Sequence, residues 1–162
     1  MNSPFMRKLF SLWMAITLLS LPLARAGDTG DLAIVVNKSS PLDNVTSAEL
    51  LKIFRAEKRK GSDGVKYVIV MRDASPERTL ILAKLYEMGE EDYAKYFLQA
   101  TFVGMVQSAP RELTSVAAMR QYVAGTPGAI GYVWAGDLDD SVKALKIDGK
   151  APGEPDYKLK AK

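Results

Sequence analysis

Residues 68–79 read Val-Ile-Val-Met-Arg-Asp-Ala-Ser-Pro-Glu-Arg-Thr, an apolar β-branched run that breaks into a polar loop and then a helix start. Tyr67–Met71 has the composition of a buried strand, apolar on successive residues because both faces of a helix-covered sheet are dry. Ser75 suits an N-cap, and Pro76 suits the first helical position, where a missing amide proton costs nothing. The helix that follows carries Leu80, Leu82, Leu85, Tyr86 and Met88, with Gly89 expected at its C′ stop.

The same rhythm extends in both directions. Upstream, Leu32–Val36 (LAIVV) reads as another buried strand, and Thr46 with Glu49 forms a capping box at the head of a helix over Ser47–Ala56. In that motif the Thr hydroxyl takes the amide three residues on and the Glu reaches back to the cap amide. Downstream, a helix is expected over Glu90–Ala100, a loop over Phe102–Pro110, and a Ser115-capped helix carrying Val116, Met119, Tyr122 and Val123. Ala129–Trp134 and Val142–Ile147 complete the strands, and a partly mobile tail is expected from Gly149. Strands alternating with helices predict an α/β fold, a single lobe with a mostly parallel or mixed sheet flanked by helices.

Ahead of this lobe, Met1–Ala26 holds Arg7 and Lys8, an apolar run over Leu9–Leu23, and a small-x-small pattern at Ala24-Arg25-Ala26. That order is a secretory signal peptide cleaved near Ala26, which predicts a periplasmic or secreted protein with one domain over residues 27–162. Removing Arg7, Lys8 and Arg25 leaves 19 basic and 19 acidic side chains, so the net charge of +3 falls to zero. A nucleic-acid partner loses its support. The local basic cluster Lys52–Lys60 (KIFRAEKRK) reads as the solvated end of a helix and the loop beyond it.

The 162 residues include no Cys and no His. Disulfides, thiol nucleophiles, Ser-His-Asp triads and His- or Cys-ligated metals are thereby excluded. Asp137, Asp139 and Asp140 cluster without EF-hand spacing. No catalytic constellation, metal or cofactor is expected.

In open α/β sheets, ligands gather beyond strand carboxyl ends, beside helix N-termini. Two polar loops are candidates: Asn37-Lys38-Ser39-Ser40 and Arg72-Asp73-Ala74-Ser75. Arg72 and Arg78 offer forked donors, Ser75 a hydroxyl, and the helix start its amides, a set suited to an oxyanion. Asp73 suits either a proton from hydrogen phosphate or an Arg partner. Ordinary capping by Ser75 explains part of this pattern equally well, and Glu77 is placed to occupy the same donors.

The order LAIVVNKSSPLDNVTSAELLKIF (32–54), a turn ending Asp63-Gly64, VIVMRDASPERT (68–79) and PGAIGYV (127–133) resembles the periplasmic phosphate-binding proteins of phosphate ABC transporters (PstS). Asp148-Gly149-Lys150-Ala151-Pro152 and Tyr157-Lys158-Leu159 extend the likeness, which runs from about Leu32 to Leu159. It implies one lobe of a two-lobed fold, a role related to phosphate uptake, and a loop in which Arg72 and Ser75 bind phosphate. Pro76 and Glu77 depart from that loop, standing where the family has Gly and Thr, and Gly61 replaces an aromatic. The partners implied are inorganic phosphate or a similar oxyanion, with an ABC permease, another envelope protein or a second copy of the chain covering the open lobe. The alternative reading is a ligand-free interaction or sensory-accessory module of the cell envelope built on the same lobe.

Overall fold

The computed structural model describes residues 30–161; the leader expected over 1–26 lies outside the described residues. The elements run β1 Leu32–Asn37, β2 Asn44–Val45, α1 Ser47–Phe54, β3 Val68–Arg72, α2 Pro76–Ile81 continuing as a π-helical turn over Leu82–Tyr86, α3 Glu90–Phe102, β4 Arg111–Leu113, α4 Val116–Gly125, β5 Ala129–Trp134, β6 Val142–Ala144 and β7 Lys146–Ile147. Five strands form one sheet in the order β4-β3-β5-β1-β6, while β2 and β7 pair separately in parallel.

The apolar strand runs are explained by burial on both faces. Leu32, Ile34 and Val36 of β1 pack with Leu50, Ile53, Phe54, Ile81 and Phe97 on one side of the sheet. Val35 joins Val70, Val133, Met119 and Val123 on the other, beneath α4. Pro127-Gly128 leads into β5 with Gly128 at φ +78°, where an added Cβ would stand 2.1 Å from the Lys66 carbonyl oxygen. Only glycine fits there.

The sheet is mixed. β3 runs parallel to β4 and β5, but β1 is antiparallel to β5 and to β6. Several local expectations are revised. The predicted strand over Val142–Ile147 divides at Leu145 into β6 and β7, which belong to different sheets. Three residues beyond the expected loop form β4. The helix after Pro76 ends not at Gly89 but at Glu87, which adopts the left-handed conformation (φ 55°) after the π turn; Gly89 instead caps the start of α3. Helix α1 closes at Phe54, short of Ala56. The capping box forms by half: Thr46 accepts from the Glu49 amide at 3.1 Å, but the Glu49 carboxylate turns to Lys58. Beyond Gly149, Tyr157 and Leu159 are buried, and the Tyr157 hydroxyl donates to the Leu32 carbonyl at 3.0 Å.

Candidate oxyanion site

β3 delivers Arg72 to the sheet's edge, and the chain turns through Asp73-Ala74 to the N-cap Ser75. The turn is held from both sides. The Asp73 amide donates to the Leu113 carbonyl at 3.1 Å, and the Arg72 amide donates to the Tyr132 hydroxyl at 3.0 Å. Tyr132 is buried, and burial pushes its phenol well above the ordinary tyrosine value, so it stays neutral and hydrogen-bonded.

Arg72 is 9% exposed, and its Nε and Nη1 are buried with no hydrogen-bond partner among the described residues. Its Nη2 lies 3.8 Å from the Asp73 carboxylate, too far for a hydrogen bond. A guanidinium holding buried N–H groups without acceptors is unusual, because each such donor costs about 1–3 kcal/mol. Ser75 Oγ accepts from the Arg78 amide at 3.2 Å, which leaves its hydroxyl proton to donate. Of the first helical amides, Pro76 has none, Arg78 is capped, and Thr79 already donates to the Ser75 carbonyl at 3.0 Å. Only the Glu77 amide remains open. The Glu77 side chain is 5% exposed and forms no ion pair among the described residues.

Arg78 is placed differently from Arg72. Its Nε donates to both Glu90 oxygens (2.7 and 2.9 Å), while its Nη1 donates to Glu112 (2.8 Å) and to the Arg72 carbonyl (2.9 Å). Its guanidinium carbon sits 5.0 Å from the Tyr93 ring centroid. Burial alone would lower its pKa, but Glu90 and Glu112 outweigh that and hold it above the ordinary arginine value. Arg78 therefore ties α2 to α3, β4 and β3, and its Nε and Nη1 are already committed to protein acceptors. No short-range sequence signal pointed to Glu90, Glu112 or Tyr132, which reach this site from other elements.

Ser39 and Ser40 are not brought to this edge. Because β1 is antiparallel to β5, its carboxyl end lies beside the start of β5, whereas the carboxyl end of β3 lies beside the finish of β5. Carrying the registers along the strands separates Arg72 from Asn37 by four positions, about 13 Å at ~3.3 Å per residue. Ser39 instead donates to the Asn37 side chain at 2.7 Å, and both serines line a small recess with Gly61, Asp63 and Gly128.

No family model matches the chain. Its fold is similar to several solved structures: an ABC-type phosphate transport receptor from Vibrio cholerae (24% identity, TM-score 0.60, covering 75% of this chain and 48% of that one). PstS from Borrelia burgdorferi follows at 18% identity and TM-score 0.59, covering 80% and 54%. A phosphate-binding protein from Stenotrophomonas maltophilia is 17% identical with TM-score 0.55, covering 77% and 41%. The shared fold is a mixed sheet flanked by helices. The chain spans about half the length of the structures it matches.

Proposed function

We propose that this protein is an exported binding protein whose lobe holds phosphate or a related oxyanion at the end of β3, in a role related to phosphate uptake. The observation that carries the reading is the Arg72 guanidinium, buried with Nε and Nη1 lacking acceptors. A tetrahedral oxyanion supplies two acceptors that match a guanidinium fork, Nη2 with Nε or Nη2 with Nη1, and the Ser75 hydroxyl and Glu77 amide add donors. An anion enters at Nη2 by displacing the Asp73 carboxylate, which holds only a long contact to that nitrogen. The reading is supported by the solved structures of similar fold, which are named as phosphate receptors and phosphate-binding proteins. On this lobe an anion stays partly hydrated until a permease, another envelope protein or a second copy covers it.

The test is calorimetric titration of the purified protein with phosphate, with sulfate as control, at low and moderate salt. Saturable binding that disappears in Arg72→Met is expected. Absence of heat with either anion up to millimolar concentration would sink the reading.

A second reading has its own support. Pro76 lacks an amide proton, Arg78 is engaged by Glu90 and Glu112, and the buried Glu77 places negative charge beside the donors. These features suit a ligand-free scaffold for an envelope partner. That reading gains if titration is silent.

A further inference from the structure

At the opposite end of β3 from Arg72, along the β4 edge of the sheet, lies an open groove of about 1030 Å3. Its floor is apolar and aromatic: Phe54, Tyr67, Ile69 and Phe97. Its walls carry Arg59, Lys60, Lys66 and Arg111, and among the described residues no Asp or Glu lines it. Two of these cations come from the basic cluster that reads, in the sequence, as a solvated helix end. Arg59 donates to the Met105 carbonyl and Arg111 lies over the Tyr122 ring, contacts that hold the side chains without neutralising them. Among the described residues none of the four forms an ion pair.

The backbone beside the groove is open at one position: the Tyr67 amide on that side already donates to the Arg59 carbonyl at 3.0 Å, which leaves Ile69. The β3–β4 ladder begins at Val70–Arg111, so Val68 and Ile69 have no strand partner on that side. The Val68 amide donates to Gly128 on the β5 side, and strand alternation turns the Ile69 amide the other way, toward the groove. Pro110, at the mouth of β4, has no amide proton to offer. Next to the lining residue Gly104, helix α3 ends in Leu98, Phe102 and Val103, with Phe102 92% exposed.

The geometry points to a docking groove for an extended acidic segment of a partner protein, its apolar side chains set between carboxylates and its backbone paired with β3 at Ile69. Four uncompensated cations around an apolar floor select negative charge, and the open Ile69 position between the Tyr67–Arg59 bond and the β4 ladder gives an extended backbone one point of strand pairing. The volume lies at the upper limit of sites built for small molecules, roughly 300–1000 Å3. A second copy would oppose cations with cations. A lipid surface, being flat, meets Phe102 but not Tyr67 or Phe97 on the floor. This inference does not rest on the oxyanion reading.

The experiment is selection of a random-peptide display library on the purified protein, followed by fluorescence anisotropy with the most enriched peptide. Acidic peptides with interspersed apolar residues are expected, with affinity falling about tenfold or more in the double variant Lys60→Glu, Lys66→Glu and falling again with added salt. Both lysines are exposed, so the variant keeps the fold, which circular dichroism checks. Arg72→Met should leave peptide binding unchanged, which separates this groove from the anion site. Enrichment without acidic bias, or affinity indifferent to the charge reversal, overturns the proposal. So do co-sedimentation with phosphatidylglycerol vesicles in the absence of peptide binding, and a dimer at low salt that Phe102→Asp abolishes.

Discussion

Replacing Arg72 by Met separates a residue kept for a ligand from one kept for the fold. The buried guanidinium leaves Nε and Nη1 without acceptors, and at about 1–3 kcal/mol each those donors burden the ligand-free protein by roughly 2–6 kcal/mol. Two terms reduce that figure. The 3.8 Å contact to the half-exposed Asp73 contributes at most about 1 kcal/mol, and the 9% exposure of Arg72 admits some hydration. Met matches the length of the aliphatic stem and needs no partner, so the loss of packing is small. The expected net effect is a gain of about 1–3 kcal/mol, read as a higher urea midpoint at unchanged slope and a Tm raised by about 3–5 °C per kcal/mol. Phosphate at a hundredfold excess over Kd then removes most or all of that advantage. Wild type gains about 2.7 kcal/mol at a hundredfold excess over its Kd, and the variant gains nothing. A variant less stable than wild type without phosphate would refute the reasoning, because it would mean the guanidinium is satisfied and structural.

Arg78→Leu is expected to cost about 1–3 kcal/mol by chemical denaturation, chiefly because it strips the buried Arg72 carbonyl of its donor, while Glu90 and Glu112, more than half exposed, are screened by water. Lys at this position should not rescue it, because one ammonium does not reproduce the fork. Gly131→Ala would place a Cβ 2.4 Å from the buried Met119 sulfur and 3.0 Å from Val70, so a loss of about 1–3 kcal/mol is expected, partly recovered in the double variant with Met119→Ala. The Asp148 carboxylate accepts from the Ser47 hydroxyl and amide, which hold its pKa below the usual carboxylate value. Its contribution is therefore present at neutral pH and is lost as the pH falls below about 4. Asp148→Asn, tolerated in the left-handed turn that precedes Gly149, should flatten the acid limb of the stability–pH curve by less than about 1 kcal/mol.

Local chemistry in the chain located most of the elements. Thr46, Ser75 and Ser115 each cap the helix expected of them, accepting from Glu49, Arg78 and Ala118, because a cap is a contact within four residues. The runs LAIVV and AIGYVW became strands buried on both faces, as their unbroken apolar character requires. The helix terminus at Glu87 was hidden, since Gly89 is the better left-handed residue by type and only the π turn shifts the stop two places earlier. β4 is three residues long, two of them charged, and is a strand only because β3 lies beside it.

The candidate site divides along the same line. Arg72 and Ser75 were legible because strand, loop and cap are contiguous. Ser39 and Ser40 looked equivalent from the chain, which specifies that a strand exists but not which way its neighbours run. Strand direction follows from hydrogen bonds made across tens of residues, and a single antiparallel pairing moved those serines to the far edge of the sheet. The surroundings of the two arginines differ for the same reason. Six residues apart and alike in type, one is clamped by Glu90 and Glu112 from distant elements and the other keeps its buried donors open. The sequence determined where helices and strands begin and which residue types face the loop; only the packed sheet decided which of those side chains meet, because their partners lie far away along the chain.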